Sequence, residues 1–142
     1  IDGYLTTYSG IAAYMKRSVE SAREKGYAET LFHRPRYLPD IHASKAPLRA
    51  FSERVAMNMP IQGTAADIIK LAMNRVYKRL KEEGLRARLI LQVHDELLVE
   101  APKEEAERVK EIVAYEMEHV ADYSVKLLSD AHIGDNWYQA KG

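Results

Sequence analysis

Two short apolar runs that flank a polar triplet restrict the fold of this chain most strongly. Residues 89–93 and 97–99 have the composition of β-strands, and His94, Asp95 and Glu96 separate them. This spacing predicts a β-hairpin whose polar tip is held in place by apolar strands. The tip lacks the Asn-Gly or Asp-Gly pair that favours a tight turn, so turning is not the only role that its residues suggest.

The N-terminal third predicts a helix followed by another hairpin. Apolar residues recur at steps of three and four over residues 4–25, and Gly26 follows them as a residue suited to end a helix. Residues 27–32 and 36–38 are β-prone and predict a short hairpin that is punctuated by Pro35. Residues 39–47 predict a loop.

The middle of the chain predicts two helices separated by a proline. The first begins near Pro47 and extends to about Met57, because Pro60 should interrupt it. The second covers residues 64–83 and ends before Gly84. Its apolar stripe comprises Ala65, Ile68, Ile69, Ala72, Met73, Val76 and Leu80.

The C-terminal third predicts one more helix and a last strand. Pro102 suits the first turn of a helix that extends to about Ala121, and residues 125–128 predict a strand. Trp137 and Tyr138 lie in the tail. The order of elements predicts an α+β fold, in which an antiparallel β-hairpin and short strands pack with long helices.

Composition and charge exclude several classes of protein. With 142 residues, 46% of them hydrophobic and 30% charged, the chain should form one ordinary folded domain. It has no cysteine for disulfides or thiolate metal sites, and no apolar run is long enough to span a membrane. The formal net charge is zero, so only a local surface could attract a polyanion. Basic residues predominate over residues 34–54 and acidic residues over 103–122, which fits one phosphate-facing surface or simply two solvated faces.

The polar triplet at the hairpin tip is a candidate metal site. Carboxylates of Asp95 and Glu96 on a rigid turn would be clustered and oriented, and oxygen ligands of this kind suit Mg²⁺. The alternative is that the turn is polar only because turns favour polar residues such as aspartate.

A second candidate site lies in the predicted middle helices. Arg54 and Asn58 are four residues apart and share a helix face, while Gln62 follows just beyond Pro60. Such hydrogen-bonding side chains could contact the acceptors that the DNA minor groove presents at every base pair. The alternative is an ordinary solvated helix face.

Four segments together resemble family A DNA polymerases, the bacterial polymerase I type. QVHDELL at residues 92–98 resembles the third conserved catalytic motif, which forms the palm hairpin, and RVAMNMPIQGTAADIIK at residues 54–70 is similar to the segment before it. GYAETLF at residues 26–32 and RYLP at residues 36–39 resemble the stretch after the fingers helices, and GDNW at residues 134–137 resembles the closing signature. The segments follow the family's order and spacing over essentially the whole chain.

The resemblance implies a DNA-directed DNA polymerase that transfers nucleotides by a two-metal mechanism with Mg²⁺. It implies that Asp95 is a catalytic metal ligand and Glu96 a supporting carboxylate, and that His94 contacts the primer terminus. It further implies contacts of Arg54, Asn58 and Gln62 with DNA near the growing end. The expected partners are primer-template DNA, deoxynucleoside triphosphates and the remainder of the polymerase chain, in the bacterial cytoplasm at the nucleoid.

The resemblance also implies that residues 1–142 are the C-terminal portion of a larger catalytic domain, without its upstream palm, fingers and thumb segments. The first residue is Ile1 rather than methionine, which fits a fragment. The family's second metal-binding aspartate lies in an upstream motif. Asp122-Tyr123-Ser124 is similar to the start of that motif but follows the hairpin and lacks its Glu-Leu-Arg continuation. We therefore expect the chain alone to be inactive.

Two positions depart from the family pattern, since Ser9 stands where the family often has proline and His33 where it often has glycine. Two other functions remain possible at this point. The chain could be a non-catalytic domain that binds duplex DNA, or a metal-dependent hydrolase built on His94, Asp95 and Glu96. The remaining histidines show no HExxH-like spacing, which disfavours the hydrolase.

Overall fold

A computed structural model describes residues 2–141, which form two compact units that divide between Ala65 and Ala66. The helices are α1 (Asp2–Thr7), α2 (Ser9–Lys25), α3 (Ala46–Glu82), α4 (Ala106–Glu118) and α5 (Trp137–Ala140). The strands are β1 (Tyr27–Glu29), β2 (Pro35–Tyr37), β3 (Arg88–Val93) and β4 (Glu96–Glu100). This mixture of helices with two small antiparallel sheets confirms the predicted α+β class. No helix in the described range is long and apolar enough to cross a membrane.

The predicted N-terminal helix is interrupted once. Tyr8, with φ −109° and ψ 64°, separates α1 from α2, so Ser9 is the first residue of a new helix. Gly26 ends α2 in the left-handed conformation, with φ 82°, and its N–H donates to the carbonyl of Ala22 at 2.8 Å. This geometry confirms the prediction that Gly26 ends the helix. Glycine suits the position because it adopts the left-handed conformation without a steric penalty.

The first predicted hairpin is confirmed. Strands β1 and β2 pair antiparallel, and Pro35 is itself a paired residue, opposite Glu29. The connecting loop is fixed by the buried side chain of Thr30, whose hydroxyl accepts hydrogen bonds from the N–H groups of Phe32 and Arg34 at 3.1 and 3.2 Å. His33, in the same loop, has φ 64°.

The predicted break at Pro60 is wrong, because α3 continues through it from Ala46 to Glu82. A proline inside a helix removes one backbone donor and costs about 3 kcal/mol or more. Two tertiary features offset that cost. The hydroxyl of Tyr14 on α2 donates to the carbonyl of Met57 at 3.1 Å, next to the disturbed turn. Ala56 and Met59 are buried in the core of the first unit, which holds this part of the helix against its neighbours.

Each unit has its own apolar core. The first comprises Ala22, Ala28, Leu38, Ile41, Ala56 and Met59. The second comprises Val76, Leu80, Ala87, Val109 and Ile112, against which Leu97 and Val99 pack. Most of the stripe predicted on the second half of α3 is buried or half-buried, whereas Ala65 is exposed.

The second hairpin is confirmed, with a shorter turn than expected. Glu96 belongs to β4 and pairs with Val93, so only His94 and Asp95 form the turn. The register shifts between Leu89 and Leu91, which marks a β-bulge in β3.

The C-terminal region departs from the prediction in two respects. The predicted helix over residues 102–121 is α4, preceded by a 3₁₀ turn at Lys103–Glu105. The predicted strand at residues 125–128 is wrong, because the segment is irregular. Val125 and Leu128 are 75% and 78% exposed, so this segment lacks the packing that makes an apolar run a strand.

Candidate functional site

The tip of the second hairpin presents a strained polar turn. His94 has φ 53°, a left-handed conformation that costs a non-glycine residue roughly 1–2 kcal/mol. The side-chain amide of Gln92 donates to the carbonyl of His94 at 2.6 Å, which helps to hold this conformation. A strained backbone at a polar tip is the kind of outlier that points to a function for the residues it orients.

The two carboxylates of the tip face solvent. Asp95 and Glu96 are exposed, and neither forms an ion pair or a hydrogen bond through its side chain within residues 2–141. Below them, Leu97 and Val99 pack against the core of the second unit, which gives the tip a rigid base. The structure therefore leaves two adjacent oxygen donors available to a hard cation.

No group of three or more metal-binding side chains occurs within the described part of the chain. Asp95 and Glu96 alone cannot fill the octahedral shell of Mg²⁺, but this ion usually binds one or two carboxylates together with waters and substrate phosphates. The donor set therefore fits Mg²⁺ as part of a site completed by other groups. It does not fit a self-sufficient hydrolase centre on His94, Asp95 and Glu96.

The second candidate site is a continuous face of α3. Because the helix continues through Pro60, Gln62 lies on the same helix as Arg54 and Asn58, at successive steps of four residues. All three are exposed. Asn58 and Gln62 form no side-chain hydrogen bond within residues 2–141, whereas the guanidinium of Arg54 lies 5.9 Å from the centre of the Phe51 ring. These three side chains belong to the first unit, and the hairpin tip belongs to the second.

Two residues that support these sites, Gln92 and Tyr14, show their roles only in the structure. In the sequence Gln92 is one residue of the hairpin motif, and the signal for its role is its position two residues before a turn residue that is not glycine. No local sequence signal links Tyr14 to Met57, because the two residues are distant in sequence and meet only through the packing of α2 on α3.

The two positions that depart from the expected family pattern, Ser9 and His33, lie at a helix start and at a residue with positive φ. Ser9 is the first residue of α2, a position where proline is favoured because its N–H is not needed. His33 has φ 64°, a conformation in which glycine is favoured.

Comparisons with known proteins agree with these features. The model of the family described as DNA polymerase family A matches residues 1–139. The chain is 53% identical over 141 residues to DNA polymerase I of Bacillus caldotenax and 52% identical to that of Bacillus subtilis. Each alignment covers 99% of this chain and 16% of the relative, so the chain spans about one sixth of the length of these relatives.

A solved structure gives the same result. The polymerase domain of Pol1 from M. smegmatis, in complex with a DNA primer-template and a dNTP, is similar with a TM-score of 0.93 and 40% sequence identity. The likeness covers 98% of this chain and 24% of that one. From the family match over nearly all of its residues, the chain belongs to DNA polymerase family A.

Proposed function

We propose that this chain is the C-terminal portion of the catalytic domain of a DNA-directed DNA polymerase. The observation that carries the proposal is the pair of exposed carboxylates on a strained, rigidly supported turn, in a chain that belongs to this family. The substrates would be primer-template DNA and deoxynucleoside triphosphates, and the rest of the polymerase chain would supply the remaining parts of the site. The enzyme would act in the bacterial cytoplasm at the nucleoid, where its DNA substrate lies.

Asp95 would bind the catalytic Mg²⁺, and Glu96 would support it as a second carboxylate. When bound, Mg²⁺ ions lower the pKa of the primer 3′-hydroxyl and neutralise the charge that develops around the phosphorus. The role of the chain is to hold the two carboxylates in place before the substrates arrive. The hairpin achieves this because its strands pack on the core of the second unit and because Gln92 fixes the carbonyl of His94.

The other proposed contacts position the DNA. The imidazole of His94, at the same turn, would contact the primer terminus. The exposed face of α3 would place Arg54, Asn58 and Gln62 along the minor groove near the growing end. Minor-groove acceptors are similar for all base pairs, so these side chains would test the shape of a new pair rather than its sequence.

The chain alone should not extend primers. Two neighbouring carboxylates give one side of a two-metal site, and their negative charge would repel a triphosphate without further cations or basic groups. A second candidate function for the isolated chain is binding of duplex DNA without catalysis, which the exposed polar face of α3 favours. Such binding would depend on salt and would not require a metal.

The test uses the chain in a complete polymerase. In a chimera, this chain replaces the 141-residue matching segment of the Bacillus caldotenax relative. We expect the chimera to extend a primed template with Mg²⁺ and four nucleotides, and we expect Asp95→Ala to abolish extension while primer-template binding persists. The free chain should not extend the primer. A folded chimera without extension, or an Asp95→Ala chimera that remains active, would overturn the proposal.

A further inference from the structure

Tyr14 of α2 contacts α3 at the turn that carries one of the proposed minor-groove residues. Its hydroxyl donates to the carbonyl of Met57 at 3.1 Å. That carbonyl and the N–H of Asn58 belong to one planar peptide unit, so whatever orients the carbonyl also orients the start of the next residue. The hydrogen bond therefore acts directly on the backbone from which the exposed side chain of Asn58 extends.

The same turn of α3 contains Pro60. Proline has no N–H, so the carbonyl of Ala56 receives no hydrogen bond from position 60, as it would in a regular helix. Prolines inside helices are a common cause of bends. Arg54 and Asn58 precede the proline, and Gln62 follows it. The relative direction of the three side chains therefore depends on how the helix bends at this point.

Packing alone does not fix this bend. A cleft of about 230 Å³ lies beside the proline and opens to solvent, and Tyr14, Ala56 and Pro60 are among the residues that line it. A helix that borders such a space can shift towards it without displacing the side chains of a close-packed core. The hydrogen bond from Tyr14 opposes a shift, because the distance between its donor and acceptor would change as the turn moves.

The helix is held separately beyond the proline. The hydroxyl of Thr64 accepts a hydrogen bond from the N–H of Leu31 at 2.9 Å, and the carbonyl of Gly63 accepts one from the side chain of Arg34 at 3.3 Å. Both donors belong to the loop between β1 and β2. Helix α2 thus supports α3 before Pro60 and the loop supports it after Pro60, and the two supports together determine the bend.

We infer that Tyr14 is a positioning residue for the proposed minor-groove contacts, and that its hydroxyl contributes to discrimination between matched and mismatched primer ends. Correct base pairs present their minor-groove acceptors at similar places. Side chains on one helix face can test that arrangement only if their own spacing is fixed. A loosened turn would let Asn58 and Gln62 follow a distorted pair. This inference rests on the proposed function, because only an enzyme that extends primers distinguishes the two kinds of end.

The experiment measures extension of matched and mismatched primer ends by the chimera described above. Tyr14→Phe removes the hydroxyl and keeps the ring. It should lower the ratio of the two extension efficiencies about fivefold, the effect expected from one lost hydrogen bond. Most of the change should appear as slower extension of the matched end, with a smaller change at the mismatched end. Tyr138→Phe is the same substitution at a residue that is 90% exposed, and it should leave the ratio unchanged.

A second variant tests whether the hydroxyl acts through the proline turn. Pro60→Ala supplies a backbone donor at position 60, so that the helix holds this turn by its own hydrogen bonds. In a chimera that carries Pro60→Ala, addition of Tyr14→Phe should change the ratio by less than about twofold. The two substitutions are expected to be non-additive because they affect the same turn.

Three results would overturn the inference. An unchanged ratio in Tyr14→Phe would show that the hydroxyl has no part in discrimination. An equal loss of extension at both ends, together with a lower melting temperature, would assign Tyr14 a purely structural role. An undiminished effect in the Pro60→Ala chimera would separate the hydroxyl from the proline turn. Failure of the proposed function has a different signature, because the parent chimera would then not extend even a matched primer, and the inference would fall with it.

Discussion

The side-chain amide of Gln92 donates to the main-chain carbonyl of His94 at 2.6 Å, across the residue where β3 ends. This bond connects a half-buried strand residue to the one residue of the turn that has a positive φ. The turn therefore keeps its shape through a side chain, whereas a turn with glycine would adopt that shape without support. The position of Asp95, the next residue, depends on the same bond.

The first prediction concerns this bond. Gln92→Glu keeps the shape of the side chain but removes the donor and places a carboxylate beside a carbonyl. We expect the hairpin to open about fivefold more often, because one hydrogen bond contributes about 1 kcal/mol. Hydrogen exchange of the β3 and β4 amides in the chimera measures this opening. Glu100→Gln, a change of the same two residue types at an exposed position, serves as the control, and unchanged exchange in Gln92→Glu would contradict the prediction.

The second prediction concerns the proposed metal ligands. Asp95→Asn should lower the rate of primer extension by more than about a hundredfold, because loss of a supporting residue alone often costs a metal site 10–100-fold. Glu96→Gln should have a smaller effect, partly reversed by higher Mg²⁺ concentration. Asp130→Asn, a change at an exposed aspartate in the same unit, should leave the rate unchanged. If Glu96→Gln were the more damaging variant, the two roles would be reversed.

The third prediction concerns the exposed face of α3. Gln62→Ala should lower extension efficiency on a matched primer end by about two- to tenfold, the range expected for one lost hydrogen bond. It should lower efficiency on a mismatched end less, so that discrimination falls. The salt dependence of DNA binding should not change, since glutamine is neutral. Asn74→Ala, at another exposed position of α3, is the control, and an equal effect of both substitutions would indicate a general loss of helix stability.

The fourth prediction concerns acid stability of the second unit. Hydrogen bonds from Arg108, and then from Arg79, hold the pKa of Glu83 below its ordinary value of 4.5. A depressed pKa means that the stabilisation is complete above the unfolded-state pKa and is lost as the pH falls through the folded-state value. We expect α4 to become less protected against hydrogen exchange below about pH 4.5. Glu83→Gln should remove part of that dependence, and an identical pH profile in the variant would show that other groups cause it.

The fifth prediction concerns His33. Its φ of 64° costs a non-glycine residue about 1 kcal/mol, so His33→Gly should slow the opening of the β1–β2 hairpin severalfold in hydrogen exchange. Gly26→Ala places a side chain at a φ of 82° and should have the opposite effect on the same hairpin. Faster exchange in His33→Gly would mean that the contact of His33 with Glu29 contributes more than the strain removes.

Short sequence patterns predicted the helix ends, because the residues at a helix end determine its conformation locally. Gly26 and Gly84 end their helices with positive φ values, as their positions indicated. The continuity of α3 through Pro60 was not predictable in this way, because the hydroxyl of Tyr14 and the packing of Ala56 come from tertiary contacts. An apolar run at residues 125–128 predicted a strand, but pairing depends on a neighbour that the run itself does not specify.

The features of the candidate sites also separate into those that local sequence spacing predicts and those that only the tertiary structure reveals. The shared face of Arg54 and Asn58 followed from a spacing of four, whereas the place of Gln62 on that face required the unbroken helix. The polar tip with Asp95 was evident from its apolar flanks. The strained backbone at His94 was not, because a non-glycine residue with positive φ has no distinctive sequence signal.

Gly63 has a consequence for anyone who exchanges segments among these polymerases. A Cβ atom at this position would lie 2.8 Å from the methyl carbon of Thr30, and the adjacent Thr64 accepts the hydrogen bond that seats the loop. The loop and this turn of α3 therefore pack closely only because position 63 carries no side chain. A recombination point placed between them should lower stability when the incoming segment of α3 carries a larger residue than glycine at position 63 and threonine remains at position 30.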